Sequence, residues 1–187
     1  MKNVLFNICA LALMALLATN VQAQDKKPAP SPASKLTQMV GLTEITVEYS
    51  RPSVKDRTIF GTKEAGALQP YGQVWRTGAN AANKFTFSTD VTINGTKLPA
   101  GSYTITTVPG EKEWKVNFYK YDGTNSNAYA SKKADASLTV APFNLGEDIM
   151  VETFLIDIAN IRDTTATIDL VWEHTYVAIP FEVPKTW

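Results

Sequence analysis

The chain has few of the side chains that most often carry catalysis or bind metals. Its 187 residues include one cysteine, Cys9, and one histidine, His174. Zinc sites built from cysteine and histidine need several such ligands. A serine triad needs a histidine held by an orienting acid, and none is implied for His174, which lies at a predicted turn. We therefore expect no metal and no cofactor, although a calcium site made only of oxygen ligands stays open.

Long hydrophobic runs are also missing, except at the N-terminus. Lys2 precedes an apolar run at residues 4–18, and residues 21–23 end it with a pattern typical of signal-peptide cleavage. The run is shorter than the roughly 20 residues of a membrane-spanning helix. Cys9 lies inside the run and not at the cleavage point, which argues against a lipoprotein. We therefore interpret residues 1–23 as a secretory signal peptide.

Cleavage after Ala23 would leave 164 residues, enough for one domain with its own core. That mature chain contains no cysteine, and its 17 basic residues nearly balance its 18 acidic ones. Near-neutral charge without long charged runs is not typical of proteins whose main partner is nucleic acid or an anionic membrane. We predict a periplasmic or extracellular protein with no membrane span after signal removal. The lack of cysteine suits a bacterial periplasm or cell surface.

Residues 24–34 read QDKKPAPSPAS, a proline-rich linker, and we assign residues 35–187 to a single β domain. Apolar and polar residues alternate through most of this domain, which indicates half-buried strands. The predicted strands cover residues 43–49, 84–93, 102–107, 114–118, 137–142, 153–158, 166–172 and 175–181. Short strands joined by turns favour an all-β, antiparallel β-sandwich, with a barrel as the alternative.

The alternation stops over residues 51–82, which read RPSVKDRTIFGTKEAGALQPYGQVWRTGANAA. A connection of about 30 residues is long for a compact domain, and such loops are either disordered or functional. Disorder is disfavoured because the segment carries large apolar side chains, among them Phe60 and Trp75. We predict an ordered flap between the first two strands, with one helical turn near residues 63–68.

The flap also concentrates the arginines, since it holds three of the four in the chain. A guanidinium group offers a planar set of donors suited to carboxylate, phosphate or sulfate. Aromatic rings nearby suit stacking, and Gly78 permits close approach of the backbone to a ligand. The predicted ligand-binding residues are Arg51, Arg57, Tyr71, Trp75, Arg76, Thr77 and Asn80.

Three stretches carry a resemblance to a known family. They are SRPSVKDRTIFG at residues 50–61, LQPYGQVWRTGANAA at residues 68–82 and NGTKLPAGSYT at residues 94–104. Their motifs, SRPxxKxRxIFG and PYGxVWRTGAN, resemble those of a family of exported bacterial proteins of unknown function, of the kind found in Bacteroidetes. The resemblance covers residues 34–180 and implies a single exported β domain. It implies no catalytic residue.

Two interpretations of the flap stay open. In the structural one, its arginines pair with acids such as Glu48, Asp56 or Glu64, and Trp75 fills the core. In the functional one, the arginines and Asn80 face a cleft and bind an anionic or polyhydroxyl ligand. The direction in which the guanidinium groups point distinguishes the two.

Two weaker candidates lie outside the flap. Asp157 and Asp169 fall on the outward face of adjacent predicted strands. Two close carboxylates can perform acid–base or glycosidic chemistry, although outward acids on a sheet are usually only solvated. Tyr119, Tyr121 and Tyr129 form a predicted aromatic platform, suited to a sugar or a protein interface unless another element covers that face.

These observations lead to three hypotheses on function. The first is a non-catalytic, exported binding module for a glycan, an anionic small molecule or an envelope protein. The second is a carboxylate-dependent hydrolase, which needs two acids from Glu48, Asp157 and Asp169 to converge with an arginine in one cleft. The third is a structural or assembly factor of the envelope, which a fully packed flap would favour.

Overall fold

The computed structural model describes residues 27–124 and 126–185. The proposed signal peptide and the first residues of the linker lie outside these ranges. The described residues are all-β, with fourteen strands and one 3₁₀ segment, Ser126–Ser131. None of them belongs to a helix with the length and hydropathy that a membrane span requires.

The strands follow one another with short connections, apart from the flap and the stretch at residues 121–135 that contains the 3₁₀ segment. In chain order they are β1 (Ala33–Val40), β2 (Thr43–Ser50), β3 (Phe60–Gly61), β4 (Gln69–Pro70), β5 (Lys84–Phe87), β6 (Val91–Ile93), β7 (Thr96–Leu98), β8 (Gly101–Val108), β9 (Trp114–Lys120), β10 (Ala136–Val140), β11 (Phe143–Asn144), β12 (Val151–Ala159), β13 (Thr165–Glu173) and β14 (Thr175–Glu182).

Most strands belong to two antiparallel sheets. The first has the order β1-β2-β5-β8-β9-β10, and the second has the order β12-β13-β14-β6-β7, with β11 paired to β14. Their inner faces share one hydrophobic core. Each described sheet ends in two edge strands, so neither is closed. This confirms the antiparallel β-sandwich over the barrel.

The alternation in the sequence explains most strands. In β2, Ile45 and Val47 are fully buried, whereas Glu44, which directly precedes Ile45, is exposed. Successive residues of a strand point to opposite faces, and this produces the alternation. The hairpin between β6 and β7 turns at Asn94 and Gly95, with φ of 47° and 74°. Positive φ at both residues is typical of a tight two-residue turn, and these residue types favour it.

Two boundaries differ from the sequence prediction. The first strand, β1, was missed, and it includes Ala33 and Ser34, which we had assigned to the linker. This edge strand has the polar Gln38 as the cross-strand partner of Ile45, which points inward. Gln38 therefore occupies a position on the inner face, and the alternation of apolar and polar residues is broken in β1. The flap therefore follows the second strand, not the first. Predicted strand 84–93 is in fact β5 and β6, which lie in different sheets.

The flap is ordered, as predicted, and it is hydrogen-bonded to both sheets. Val54 N donates to Glu152 O of β12 at 2.8 Å, and Trp75 N donates to Thr107 O of β8 at 2.7 Å. Within it β3 and β4 form a small parallel pair. Residues 63–66 between them form a hydrogen-bonded turn. The flap is thus joined to both sheets by main-chain hydrogen bonds.

Trp75 anchors the flap in the core and is 3% exposed. Its ring stacks on Trp172 of β13, with centroids 5.6 Å apart at 22°, and packs edge-on against Phe154 of β12 at 5.0 Å. Trp114 of β9 and Phe60 of β3 complete the cluster. Aromatic rings supply the largest buried areas in a core, so this cluster ties the flap to both sheets.

Replacing Trp75 by alanine should lower the free energy of unfolding by about 3–5 kcal/mol, because it opens a large cavity among rings that cannot collapse fully. The neighbouring Val74 is 51% exposed, and Val74→Ala should change stability by about 0.5 kcal/mol or less. Urea unfolding of both variants measures the difference. Equal midpoints for the two would contradict the anchoring role.

Candidate functional site

The guanidinium groups of the flap bind backbone carbonyls. Arg51 Nε donates to Phe154 O at 2.8 Å, at the outer edge of β12. Arg57 Nε donates to Val54 O at 2.9 Å, and its Nη2 donates to Ser53 O at 2.6 Å. Neither Arg51 nor Arg57 forms a salt bridge with another residue of the described ranges. The expected pairing of these two arginines with acids is therefore wrong.

Arg51 has a structural position at a strand edge. Its Nη2 also reaches Thr153 O at 3.5 Å, and the neighbouring Tyr49 hydroxyl accepts a bond from Ile156 N at 2.9 Å. Both side chains thus occupy polar backbone groups of β12 that would otherwise lack a strand partner. Arg51 lies apart from the hollow that the other two arginines line.

Arg57 and Arg76 line one hollow of about 270 Å³ together with Asn80. Arg57 is exposed and Arg76 half-buried, and Arg76 Nη1 donates to Asn80 O at 2.9 Å. We call this site the arginine hollow. Its other lining residues are Ser31, Pro52, Leu68, Gln69, Gly78, Ala79 and Trp172. No acidic side chain from the described part of the chain lines it. Three of the seven predicted binding residues therefore meet in one place.

The backbone along this hollow adopts an unusual conformation. Thr77 and Asn80 have φ of 53° and 58°, a region that a β-branched residue such as threonine rarely enters. Gly78 has φ of 139°, and a Cβ there would lie 3.3 Å from Ser50 O, so this position requires glycine. At Thr77 this conformation costs about 1–3 kcal/mol, and strained backbone of this kind clusters at functional sites.

A buried asparagine that the sequence analysis missed holds this loop in place. Asn83 is 1% exposed. Its Nδ2 donates to Arg76 O at 2.9 Å and Thr77 O at 3.1 Å, and its Oδ1 accepts from Ile105 N at 2.8 Å. Thr104 Oγ1 donates to the same oxygen. One side chain thus joins the hollow's loop to β8. A polar residue directly before an apolar strand was the only signal in the sequence.

Three predicted residues besides Arg51 also lie outside the arginine hollow. Thr77 is fully buried, and its hydroxyl bonds to that of Thr107 at 3.0 Å. Trp75 belongs to the core, so neither side chain is accessible to a ligand. Tyr71 is half-exposed but lines a different hollow, beyond the β3–β4 pair. Trp75 thus fills the core, as the structural interpretation has it, and Thr77, predicted only as a binding residue, is buried as well.

The predicted tyrosine platform is not accessible as a whole, because two of its three rings are buried. Tyr119 is 6% exposed and Tyr129 is fully buried, with ring centroids 5.6 Å apart. Tyr129 belongs to the 3₁₀ segment, which lies against β8 and covers this face of the first sheet. Tyr121 remains half-exposed, with Lys84 Nζ 5.7 Å from its ring centroid.

Of the acids in the second hypothesis, Asp157 and Asp169 lie together, but neither lines the arginine hollow. Asp157 and Asp169 are cross-strand partners on the outer face of the second sheet, as predicted. Asp169 is only 7% exposed and accepts a hydrogen bond from the Tyr176 hydroxyl at 3.0 Å. Glu48 lies on the first sheet and pairs with Lys84 at 3.6 Å. Among the residues described, no three acidic, histidine or cysteine side chains come together as metal ligands.

Asn83→Ala should lower the free energy of unfolding by roughly 2–5 kcal/mol, because it leaves buried donors and acceptors of the loop and of β8 without partners. Gln73→Ala, an amide removed from an exposed position of the same flap, is the matched control and should be nearly neutral. Urea unfolding measures both. A loss in Asn83→Ala no greater than the control would contradict the role of Asn83.

Asp122 should make stability depend on acid pH. Its carboxylate binds the Lys132 ammonium, the Thr124 hydroxyl and the Tyr129 hydroxyl. These bonds, led by that of Lys132, hold the pKa of Asp122 well below its usual range. Since the ordinary pKa of an aspartate is about 3.9, the contribution is complete at neutral pH and is lost as pH falls below about 4.

Unfolding free energies measured between neutral pH and about pH 3 should therefore decrease less steeply in Asp122→Asn than in the unchanged protein. The substitution removes the titrating group and keeps the shape of the side chain. Parallel pH profiles for the two proteins would show that this carboxylate is not stabilised by folding.

Comparison with protein families gives one match. A family model described as a protein of unknown function, DUF2911, matches residues 31–181. Searches of curated proteins and of solved structures gave no match. The match spans both sheets, the flap and the arginine hollow, and it accords with the resemblance seen in the flap. The chain belongs to the DUF2911 family.

Proposed function

We propose that this protein is an exported, non-catalytic binding module that holds an anionic ligand in the arginine hollow. The observation that carries the proposal is the position of Arg57 and Arg76 in one accessible hollow that no described acidic side chain lines. The exposed guanidinium group of Arg57 in such a place attracts carboxylate, phosphate or sulfate.

The environment of Arg57 suits recognition. Its bonds to Ser53 O and Val54 O engage neutral carbonyls, so they orient the guanidinium without cancelling its charge. Arginine has five N–H donors, and these two contacts leave others for a ligand. A side chain that is already oriented loses less conformational freedom on binding, which favours affinity.

The size of the hollow limits what it can hold. Its volume of about 270 Å³ lies just below the roughly 300–1,000 Å³ that is typical of small-molecule sites. A small anion fits, as does the charged end of a larger molecule such as the carboxylate of an acidic sugar. A long neutral glycan would have to bind mainly outside it.

Export is part of the proposal and rests on the sequence alone. The apolar run at residues 4–18, the cleavage pattern at residues 21–23 and the cysteine-free remainder support a periplasmic or extracellular protein. Phosphate, sulfate and acidic sugars all occur in such a compartment as free molecules or as parts of envelope polymers.

The alternatives have less support. A carboxylate-dependent hydrolase needs two acids beside an arginine, and none of Glu48, Asp157 and Asp169 lines the arginine hollow. A purely structural envelope factor gives no reason for the left-handed backbone of Thr77, a conformation that is costly in a β-branched residue and clusters at functional sites.

Isothermal titration with phosphate, sulfate and galacturonate, and with neutral galactose as the control ligand, tests the proposal. At least one anion should bind and galactose should not. Arg57→Gln should weaken binding by about tenfold or more, because a charge-assisted contact is lost. Arg57→Lys keeps the charge without the planar set of donors, so its affinity should lie between those of the unchanged protein and of Arg57→Gln.

Lys55→Gln is the matched control, because it removes an exposed charge from the same turn outside the hollow and should leave affinity unchanged. Circular dichroism verifies that each variant is folded. Binding that survives Arg57→Gln in a folded protein, or a failure of every anion to bind, would overturn the proposal.

A further inference from the structure

Tyr71 lines a second hollow, separate from the arginine hollow. It has a volume of about 300 Å³ and lies where the flap meets β11. Three aromatic residues, Phe60, Tyr71 and Phe143, contribute to its wall, and the buried Trp114 lies beneath them. We call it the aromatic hollow.

The aromatic hollow opposes the arginine hollow in charge. Glu111 lines it, and no lysine or arginine of the described ranges does. Burial raises the pKa of Tyr71, and the charges of Glu111 and Glu173 raise it further. Tyr71 thus lies in the electrostatic field of two carboxylates, which disfavours the binding of a negatively charged ligand beside it. The hollow is therefore unsuited to the anions that the arginine hollow would take.

The walls are held by the fold. The ring of Phe60 packs edge-on against Trp114, with centroids 4.7 Å apart, and Tyr71 N donates to Gly61 O at 2.8 Å. On the other side, β11 carries Phe143, which pairs with Tyr176 of β14. Phe143 is 63% exposed, although it belongs to a strand. An ordered, exposed aromatic ring beside a concave site is typical of a contact surface.

We propose that the aromatic hollow binds a small organic ammonium ion. Aromatic rings attract cations through their quadrupole, and clusters of such rings recognise quaternary ammonium groups. Glu111 supplies the opposite charge at the rim. A sugar would also contact the rings, but it gains nothing from a negative field. The charge in the hollow therefore favours the cation.

The neutral polar groups of the aromatic hollow suit the same kind of ligand. Asn144 and Thr175 line the hollow beside the rings, and Asn144 Oδ1 is engaged by Gly146 N at 2.8 Å. A ligand that joins an ammonium group to a hydroxyl or carbonyl group would satisfy both the charged and the neutral parts. Choline has this composition and serves as the probe.

Titration with choline and with its neutral tert-butyl analogue, in which carbon replaces the charged nitrogen, isolates the role of charge. Choline should bind at least several-fold more tightly than the analogue. Tyr71→Phe should retain binding, whereas Tyr71→Leu should weaken it by roughly threefold to tenfold, the range for loss of one cation–π contact. Glu111→Gln should weaken it to a similar extent and keeps the shape of the side chain.

Arg57→Gln should leave choline binding unchanged, so this site is tested independently of the anion site. Equal affinity for choline and the neutral analogue would overturn the proposal, as would unchanged affinity in Glu111→Gln. Binding of methyl glucoside in place of choline would assign the hollow to sugars instead. No binding of choline to the folded protein would refute the site outright.

Discussion

Trp75 enters the core from a loop, and the position of the whole flap depends on this insertion. Its ring lies between the two sheets, in contact with Trp172 and Phe154, so the backbone on either side can move little. Arg76 follows it directly and Tyr71 precedes it by four residues. The insertion of this one side chain thus helps to fix the position of Arg76 in the arginine hollow and of Tyr71 in the aromatic hollow. The packing of the core is in this way linked to both proposed sites.

The loop after Trp75 is held at both ends, and this explains how it can keep a costly backbone conformation. Asn83 binds Arg76 O, Thr77 O and β8, while the Thr77 hydroxyl binds that of Thr107. Each fixed point compensates for part of the strain at Thr77. Asn80 and Arg76 thus lie on a loop that is fixed at Thr77 and at Asn83, along the edge of the arginine hollow.

Much of the fold could be predicted because strand alternation is a local property of the sequence. The prediction failed where alternation was broken, as at Gln38 in β1, or where a strand changed sheets without a clear turn, as after Phe87. The meeting of Arg57 and Arg76 followed from their place in one ordered loop. Their partners could not be predicted, because every residue has a carbonyl and the sequence does not indicate which one lies nearby.

Arg51 has a consequence for the behaviour of the protein in concentrated solution. A sheet border with open carbonyl groups offers a template on which another chain can add a strand. The guanidinium on Phe154 O and the Tyr49 hydroxyl at Ile156 occupy that border, and both belong to the same stretch of chain that leads into the flap. We therefore expect the stretch of chain that leads into the proposed binding region to oppose strand addition at this border as well, which would couple solubility to the proposed recognition through one segment.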